Sequence, residues 1–359
     1  MITPNTPFSI DSHKLYLHPQ KVADYLHGGE RKFKVTPIYV EISPVGHCNQ
    51  RCIFCALDYL GYKKRYIDTN SLLLCIRDMG KTGVKSIMFG GEGEPLLHPD
   101  LGMFVADCKE SKIDCALTTN GTMLSRSFVD LYLTKFAWVK VSVNGGTAGD
   151  YARVHNTGYD VFDKVLDNIR YAVEHKQGTT VGVQCVLLPD NAGSIPALAQ
   201  TCAKLGVDYL VIKPYSKHKM SLHKGYDKLR YEEYYKMLSD LEECSTSTFR
   251  VVVRTDSLQD WDKQEHKYTR CLSVPYLWAY IDSTGDVYGC SCFLDDKNWV
   301  IGNVHNNLFH DVWHGKRRRM LIDYVSNLDI KACRINCRMD KCNKYLHQLK
   351  NPPLHHNFI

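Results

Sequence analysis

The sequence lacks the features that carry a chain into or across a membrane. Its 359 residues contain no stretch of 18 or more apolar residues, and its first 15 residues contain no apolar run like that of a secretory signal. Internal repeats and low-complexity segments are also missing. Together these absences predict a globular protein of the cytoplasm with no membrane span.

The excess of positive over negative charge is also small. The formal net charge is +6, with 44% apolar and 23% charged residues, as in an ordinary globular protein. This excess suits an anionic small substrate without requiring one. The one basic run, residues 316–319, leads directly into an apolar segment. We interpret it as the exposed first turn of a helix, so no nucleic-acid partner is predicted.

Cysteine, in contrast, is abundant, with 15 residues. In a reducing compartment dense cysteine indicates metal binding or catalysis rather than disulfides. Three cysteines lie within eight positions, and six more follow residue 270: Cys48, Cys52, Cys55, then Cys271, Cys290, Cys292, Cys333, Cys337 and Cys342. The other six stand in apolar contexts, where we expect small buried side chains: Cys75, Cys108, Cys115, Cys185, Cys202 and Cys244.

Six β-rich segments alternate with amphipathic helical segments between residues 38 and 213. This pattern predicts parallel βαβ units that form a partial (β/α)6 TIM-like barrel, an α/β fold. The distinctive motifs follow the strands directly, at the edge where such barrels carry their chemistry. Four regions are predicted: an N-terminal extension (1–35), the barrel (36–215), a helical connector (216–248) and a small cysteine-rich domain with its tail (249–359).

The loop after the first strand, GHCNQRCIFC, offers three thiolates. A structural zinc site needs four ligands, and His47 adjoins Cys48 too closely to complete a tetrahedron with it. A [4Fe–4S] cluster normally takes four thiolates, so three leave one iron open to an outside ligand. The spacing C-x3-C-x2-C, with Phe54 before Cys55, resembles that of the radical S-adenosylmethionine (SAM) superfamily.

This resemblance implies the cofactors and the chemistry. SAM would chelate the open iron through its amino and carboxylate groups, and a reduced cluster would cleave it to a 5′-deoxyadenosyl radical that abstracts hydrogen from substrate. A flavodoxin- or ferredoxin-type protein is the implied electron donor. The alternative is a non-enzymatic iron–sulfur electron carrier or sensor, which would hold its cluster without binding SAM.

Further segments resemble the SAM pocket of this superfamily. FGGEGEP is similar to the glycine-glycine-glutamate-proline motif that holds the methionine amino group, in two registers that stay open: Gly91 with Glu92, or Gly93 with Glu94. Polar residues at the ends of strands three and four are implied to line the cofactor pocket: Thr119, Asn120, Ser142 and Asn144. Arg153 resembles the arginine that pairs with the cofactor carboxylate. Lys213, Tyr215 and Ser216, at the end of strand six, are candidates on the substrate side.

The C-terminal cysteines surround a hairpin, GDVYGC, that resembles the SPASM/twitch extension of radical SAM enzymes. The full extension uses seven cysteines, and this tail has six without the C-x2-C-x5-C-x3-C run. We therefore predict one auxiliary [4Fe–4S] cluster on Cys271, Cys290, Cys333 and Cys337. A second cluster and a zinc site are the alternatives. Cys292 and Cys342 are left as spare or alternate ligands and, with Tyr215, are candidates for donating hydrogen to a substrate radical.

The motifs specify the initiator but not the substrate. One class is a small molecule, namely a sugar, nucleotide-sugar or related metabolite undergoing oxidation, epimerisation or dehydration. The other is a peptide or protein matured by a SPASM-type enzyme. About 35 residues precede the barrel, which is short for the leader-binding domain of many peptide maturases. The sequence therefore favours the small molecule, with peptide maturation as the alternative.

Overall fold

One continuous ten-stranded sheet organises the protein, in a computed structural model that describes residue 8 and residues 10–358. The spatial order of the strands is β10-β9-β8-β1-β2-β3-β4-β5-β6-β7. The strands are β1 Tyr39–Ile42, β2 Ser86–Phe89, β3 Asp114–Thr119, β4 Trp138–Ser142, β5 Thr180–Val186, β6 Tyr209–Lys213, β7 Arg250–Val253, β8 Trp278–Ile281, β9 Asp286–Tyr288 and β10 Val300–Asn303. The first six coincide with the six predicted strands, and the partial α/β barrel is confirmed.

Helices follow most of the parallel strands and cover the outer face of the sheet. They are α1 Pro19–His27, α2 Gly29–Lys34, α3 Thr69–Thr82, α4 Leu101–Glu110, α5 Arg126–Tyr132, α6 Ala148–His155, α7 Asp160–Glu174, α8 Ile195–Leu205, α9 Tyr235–Glu242, α10 Thr255–Lys263, α11 Phe309–His314, α12 Lys316–Ser326 and α13 Asp340–Lys350. α3 shows why they begin and end where they do. Asp68 caps it by accepting from the backbone N–H of Ser71, and Gly83 ends it with a left-handed φ of 93°. In the described part of the chain, no helix has the length and apolarity needed to cross a bilayer.

The two faces of each strand differ in character. On β4, Val139 and Val141 are fully buried under the helices, while Trp138, Lys140 and Ser142 alternate with them and are only partly covered. Because side chains on a strand alternate between faces, these three point to the concave inner face. The barrel interior therefore carries polar and charged groups, which the outer face does not.

Two later strands extend the barrel beyond the six predicted. β7 pairs in parallel with β6, and β8 pairs in parallel with β1 at the opposite edge. The sequence analysis assigned both segments to the C-terminal domain, although the sheet continues through them. Among the described strands, β9 and β10 form the antiparallel hairpin of that domain. The barrel thus has eight parallel strands and stays open between β7 and β8, where pairing is missing from the described sheet.

The connector is less helical than predicted. Within residues 216–248 the one α-helix is α9, and most of the preceding residues run irregularly. Tyr226, Leu229 and Tyr231 are buried at spacings of three and two, which no single helical face provides. The backbone N–H of Tyr231 donates to the carboxylate of Asp262 at 2.8 Å, so tertiary contacts fix this segment.

The basic run at the start of α12 is not wholly exposed, contrary to the sequence interpretation. Arg318 is fully buried and donates to the carbonyl oxygens of Pro275, Phe33, Trp313 and Val35. These four acceptors satisfy a buried guanidinium without a carboxylate. Arg318 therefore joins the C-terminal part of the chain to the segment that precedes β1.

The scattered cysteines behave largely as predicted. Five of the six are buried, and Cys244 is exposed at the end of α9, which corrects that one expectation. The three-cysteine loop and the six C-terminal cysteines are all partly exposed. Partial exposure separates the cysteines near cavities from those that fill the core.

Candidate metal centres and cofactor cavity

The three-cysteine loop lines a cavity at the carboxyl ends of the strands. The cavity has about 260 Å³ of accessible space and is partly open to solvent, and its wall includes Cys48, Cys52 and Cys55. Burial raises the pKa of all three thiols, that of Cys48 to about 11. Unaided, the thiols stay protonated at neutral pH, so a positive centre such as iron is needed to hold them as thiolates.

Most of the predicted cofactor-binding residues line this same cavity. They are Phe54, Gly91, Glu92, Gly93, Glu94, Thr119, Asn120, Ser142 and Asn144, together with Lys213 and Ser216 from the substrate side. Their elements follow one another around the sheet, and the carboxyl ends of parallel strands meet at one edge. The structure therefore brings together residues that the sequence separates by more than 160 positions.

Side-chain amides brace the cysteine loop from β3. Asn49 donates to the hydroxyl of Thr122 at 2.8 Å and accepts from the amide of Asn120 at the same distance. The Asn120 amide also lies 3.7 Å from the sulfur of Cys48. These contacts give Asn120 a place beside the cysteines as well as beside the cavity.

The two carboxylates of the glycine-rich segment have different partners. Glu92 is buried, accepts from Arg65 at 2.9 Å in an ion pair and accepts from the hydroxyl of Ser283 at 2.6 Å. Its charge is therefore already compensated by the protein. Glu92 links the cavity wall to the segment that follows β8.

Glu94 is also buried, but it has no ion-pair partner among the residues the structure describes. Its carboxylate accepts from the Thr119 hydroxyl at 2.6 Å, from the Asn120 backbone N–H at 2.7 Å and from that of Leu96 at 3.1 Å. Burial nevertheless raises the pKa of Glu94 to about 7. A buried carboxylate that lacks a cation fits an ammonium group supplied by a ligand.

Two positions in the cavity wall, Gly91 and Gly93, have no room for a side chain. A Cβ on Gly93 would lie 2.1 Å from the carbonyl oxygen of His47, and the Glu94 backbone N–H donates to that same oxygen at 3.0 Å. Gly91 has a φ of +102°, and a Cβ there would lie 2.2 Å from the hydroxyl of Tyr280. Both glycines therefore allow a close approach of backbones that a side chain would prevent.

His155, at the end of α6, is a cavity residue that the sequence analysis missed. Its Nε2 accepts from the backbone N–H of Asn144 at 3.1 Å, so the proton of the neutral ring lies on Nδ1. Nδ1 is 2.8 Å from the side-chain oxygen of Gln50 and 3.4 Å from the sulfur of Cys52. Burial lowers the pKa of His155 to about 3, which keeps the ring neutral. The available clue was its position four residues after Tyr151, on the same helix face.

Two predicted residues do not reach the cavity. Arg153 is 54% exposed and binds Asp150 and the carbonyl oxygen of Asp190, because residues two apart on a helix face away from each other and His155 takes the inner face. Tyr215 is 1% exposed and packs against the ring of Trp261 at 5.6 Å. It is a core residue here rather than one at the barrel mouth.

A second cavity gathers most of the C-terminal cysteines. It is narrow, with about 30 Å³ of accessible space, and is lined by the four predicted ligands and by Cys292: Cys271, Cys290, Cys292, Cys333 and Cys337. Cys342 lies on α13 and is not part of this wall. The sequence analysis did not distinguish Cys292 from Cys342, but in the structure only Cys292 of these two lines the cavity. A hydrogen bond from the Cys290 thiol and the nearby Arg334 guanidinium both lower the pKa of Cys292.

Each of the two cavities has at least three cysteines in its wall. Within residues 10–358, no three His, Cys, Asp or Glu side chains are close enough to hold one metal ion together. In a [4Fe–4S] cluster each cysteine binds a different iron, so the ligands surround an open space. Both cysteine-lined cavities have this form, and the residues present fit the iron–sulfur groups that the motifs imply.

Two family models match the chain. The model of the Radical SAM superfamily matches residues 42–202, and that of an iron–sulfur cluster-binding domain, SPASM, matches residues 271–342. The "tungsten-containing aldehyde ferredoxin oxidoreductase cofactor-modifying protein" of Pyrococcus furiosus is 28% identical over 187 residues, 49% of this chain and 50% of that protein. An "S-adenosylmethionine-dependent nucleotide dehydratase" of Lacinutrix mariniflava is 27% identical over 215 residues, 55% of this chain and 43% of that protein. The chain spans about half the length of the curated relatives it matches.

Solved structures share the whole arrangement. Streptococcus suis SuiB bound to S-adenosylmethionine superposes on 94% of this chain and 79% of its own, with a TM-score of 0.66 and 19% sequence identity. SuiB has also been solved bound to the precursor peptide SuiA. At such identity the likeness shows the fold alone.

Proposed function

Because the Radical SAM superfamily model matches residues 42–202 of this chain and the SPASM model matches residues 271–342, we propose that it is a radical SAM enzyme that abstracts hydrogen from a small-molecule substrate. It is an enzyme whose cofactors are a [4Fe–4S] cluster, SAM and auxiliary iron–sulfur chemistry in the SPASM domain. The chemistry supplied when these are bound is reductive cleavage of SAM to a 5′-deoxyadenosyl radical, which removes a hydrogen atom. The proposed substrate is a sugar, nucleotide-sugar or related metabolite, and the net reaction an oxidation, epimerisation or dehydration.

In this proposal each wall of the first cavity has its own task. Cys48, Cys52 and Cys55 hold the cluster, and Glu94 accepts hydrogen bonds from the amino group of SAM. This assignment to Glu94 is supported by its lack of a cationic partner, whereas Glu92 already pairs with Arg65. Gly93 permits the close approach of the backbone that brings Glu94 beside the cysteine loop.

One observation carries the proposal of a small substrate: a strap formed by residues 218–223 is fastened over the cysteine loop. Asp58, just after the loop, accepts from the backbone N–H of Leu222 at 3.0 Å and from that of His223 at 3.1 Å. The hydroxyl of Ser221 donates to the carbonyl oxygen of Cys55 at 3.4 Å. The strap continues from Ser216, which lines the cavity, so fixing it at several points holds that rim in place. We infer that a fixed rim restricts water and limits the size of the group that can enter.

The relative named as a nucleotide dehydratase also supports a small-molecule substrate, since a nucleotide is a small molecule. The test is anaerobic. The reconstituted protein is given reductant, SAM and either deuterated nucleotide-sugars or deuterated peptides, and deuterium in 5′-deoxyadenosine is measured. Transfer from the nucleotide-sugar pool alone is expected. Transfer from the peptide pool alone would reject the small-molecule proposal and leave the radical chemistry standing.

Peptide maturation is the second proposed function, favoured by a different feature. A cleft of about 1060 Å³, partly open to solvent, runs between the connector and the C-terminal domain and reaches Cys292 and Cys333. Such a cleft has room for an extended chain. A substrate bound there would lie beside the second cysteine site. Crosslinking of a peptide to Lys217 or Lys331, at the rim of the cleft, would support this function.

A further inference from the structure

The interior of the barrel concentrates positive charge. Lys140 of β4 points inward, and Lys213 ends β6 and lines the first cavity. Arg254 follows β7, while Arg334 and Arg338 enter from the segment that carries Cys333 and Cys337. All four of the other cations lie near enough to Lys213 for their charges to lower its pKa, in addition to its burial.

The protein neutralises only part of this charge. Arg338 pairs with Glu41 of β1 at 2.9 Å, and Arg254 pairs with Asp11 at 3.1 Å. Neither Lys140 nor Lys213 has a carboxylate partner among the described residues. The Lys140 ammonium instead lies 5.2 Å from the ring centre of Trp138. The two lysines are therefore cations that the fold surrounds but does not pair.

Such an arrangement opposes folding unless a ligand compensates it. Removing an ammonium from water without a counter-charge is unfavourable, and neighbouring cations add repulsion. Burial and these neighbours lower the pKa of Lys140 to about 7. Proteins retain uncompensated charge of this kind where binding requires it.

The position of Lys140 separates it from the SAM pocket. Ser142 lines the first cavity, and Lys140 lies two residues earlier on the same inner face of β4, one layer further into the barrel. Beyond it the interior has an apolar floor, where Phe8 and Ile10 pack against Val211 and Val252. Lys140 is not itself part of the wall of the first cavity, so a group that it binds must be small and must lie at the inner end of that cavity, near Lys213.

We propose that Lys140 and Lys213 bind the phosphate or diphosphate group of an anionic small-molecule substrate inside the barrel. This inference rests on the proposed function and narrows its substrate class. A bound phosphate supplies the missing negative charge, which favours the ammonium form of both lysines, and its oxygens accept hydrogen bonds from several directions. The paired Arg338 and Arg254 lie beside this site and increase its positive potential.

The test compares binding to matched variants of the reconstituted enzyme in the presence of SAM. The probes are UDP-glucose, pyrophosphate, glucuronate and glucose, titrated calorimetrically under anaerobic conditions. UDP-glucose and pyrophosphate are expected to bind the wild type, and the double variant Lys140→Met, Lys213→Met to weaken both roughly tenfold or more. Lys204→Met, an exposed lysine on α8, is the control and should change neither.

Several outcomes would overturn the inference. Equal affinity of pyrophosphate for the wild type and the double variant would remove the lysines from anion binding. Stronger binding of glucuronate than of the phosphorylated probes would reject the phosphate assignment. Loss of SAM binding in Lys213→Met would show that this lysine serves the cofactor instead.

The same samples separate this inference from the function beneath it. Formation of 5′-deoxyadenosine with reductant tests the radical chemistry, and it is expected in the wild type and in the Lys204→Met control. A wild type that binds pyrophosphate through the lysines but forms no 5′-deoxyadenosine would keep the anion site and reject the proposed function. Thermal unfolding excludes misfolding, since removal of uncompensated buried charge should leave the melting temperature equal or higher.

Discussion

The two cysteine sites are built in opposite ways. The first takes Cys48, Cys52 and Cys55 from one loop of eight residues directly after a strand. The second collects five thiols from segments that extend from Cys271 to Cys337. The first is fixed by local chain geometry and by bracing from neighbouring strands, and the second exists only when the C-terminal segments have packed together. A site formed by one short loop can be predicted from the sequence, whereas the exact ligands of a site assembled from distant segments cannot.

The largest expected effect separates the two sites completely. Cys48→Ala should abolish formation of 5′-deoxyadenosine, because the three-thiol loop has no spare cysteine to replace a lost ligand. Iron content should fall by one cluster, while the C-terminal cluster persists. The assay is chromatographic quantification of 5′-deoxyadenosine, together with iron and sulfide analysis. Unchanged cleavage in this variant would remove the loop from the chemistry.

Substitution in the second site should stop product formation but not 5′-deoxyadenosine formation, whereas substitution in the first site should stop both. Cys333→Ala and Cys337→Ala are expected to abolish product while 5′-deoxyadenosine still forms, if the auxiliary cluster accepts the electron left on substrate. Cys342→Ala is the matched control, because Cys342 lies outside the cavity wall. Parallel loss of both activities would instead assign the second cluster a structural role.

A smaller effect distinguishes the two glutamates. Glu94→Gln should weaken SAM binding by about tenfold or more, since it removes the carboxylate proposed to hold the ammonium. Glu92→Gln should leave SAM affinity nearly unchanged and lower the free energy of unfolding by about 1–3 kcal/mol, because it breaks the buried pair with Arg65. Calorimetric titration and thermal denaturation measure the two effects. The reverse pattern would select the other register of the glycine-rich motif.

The smallest predicted effect compares one hydrogen-bond donor at each site. The Nδ1–H of His155 lies 3.4 Å from the sulfur of Cys52, and the Asn343 amide donates to the sulfur of Cys271 at 3.6 Å. Donors to cluster sulfurs favour the reduced state, so His155→Phe should make the potential of the first cluster more negative and leave the second unchanged. Asn343→Leu should make the potential of the second cluster more negative and leave that of the first unchanged. Redox titration followed by electron paramagnetic resonance measures both.

Sequence periodicity predicted the six strands and the helices between them, because each element shows its period in a short segment. It could not predict that β7 and β8 would pair with β6 and β1 and so extend the six-stranded barrel on both sides, since such pairing depends on tertiary contacts. It also treated the connector as helical, although bonds to Asp58 and Asp262 hold that segment in an irregular path. Long-range contacts account for each of these differences.

The cofactor cavity shows the same limit at the level of single residues. Residues within a motif that follows a strand, such as Glu94 and Asn120, lie where the sequence predicted. Arg153 and His155 share one helix, and the sequence did not show which of the two faces inward. The exclusion of Cys342 from the second cavity likewise depends on a long-range contact, since Asn343 of α13 accepts from the backbone N–H groups of Leu272 and Ser273.

The central claim is that the three-cysteine loop holds a cluster with one iron left for SAM. It is tested most directly by electron paramagnetic resonance of the reduced protein, recorded with and without SAM. The wild type should show a signal that SAM alters, and Cys48→Ala should show only a signal that SAM leaves unchanged. An identical wild-type spectrum with and without saturating SAM would contradict the claim.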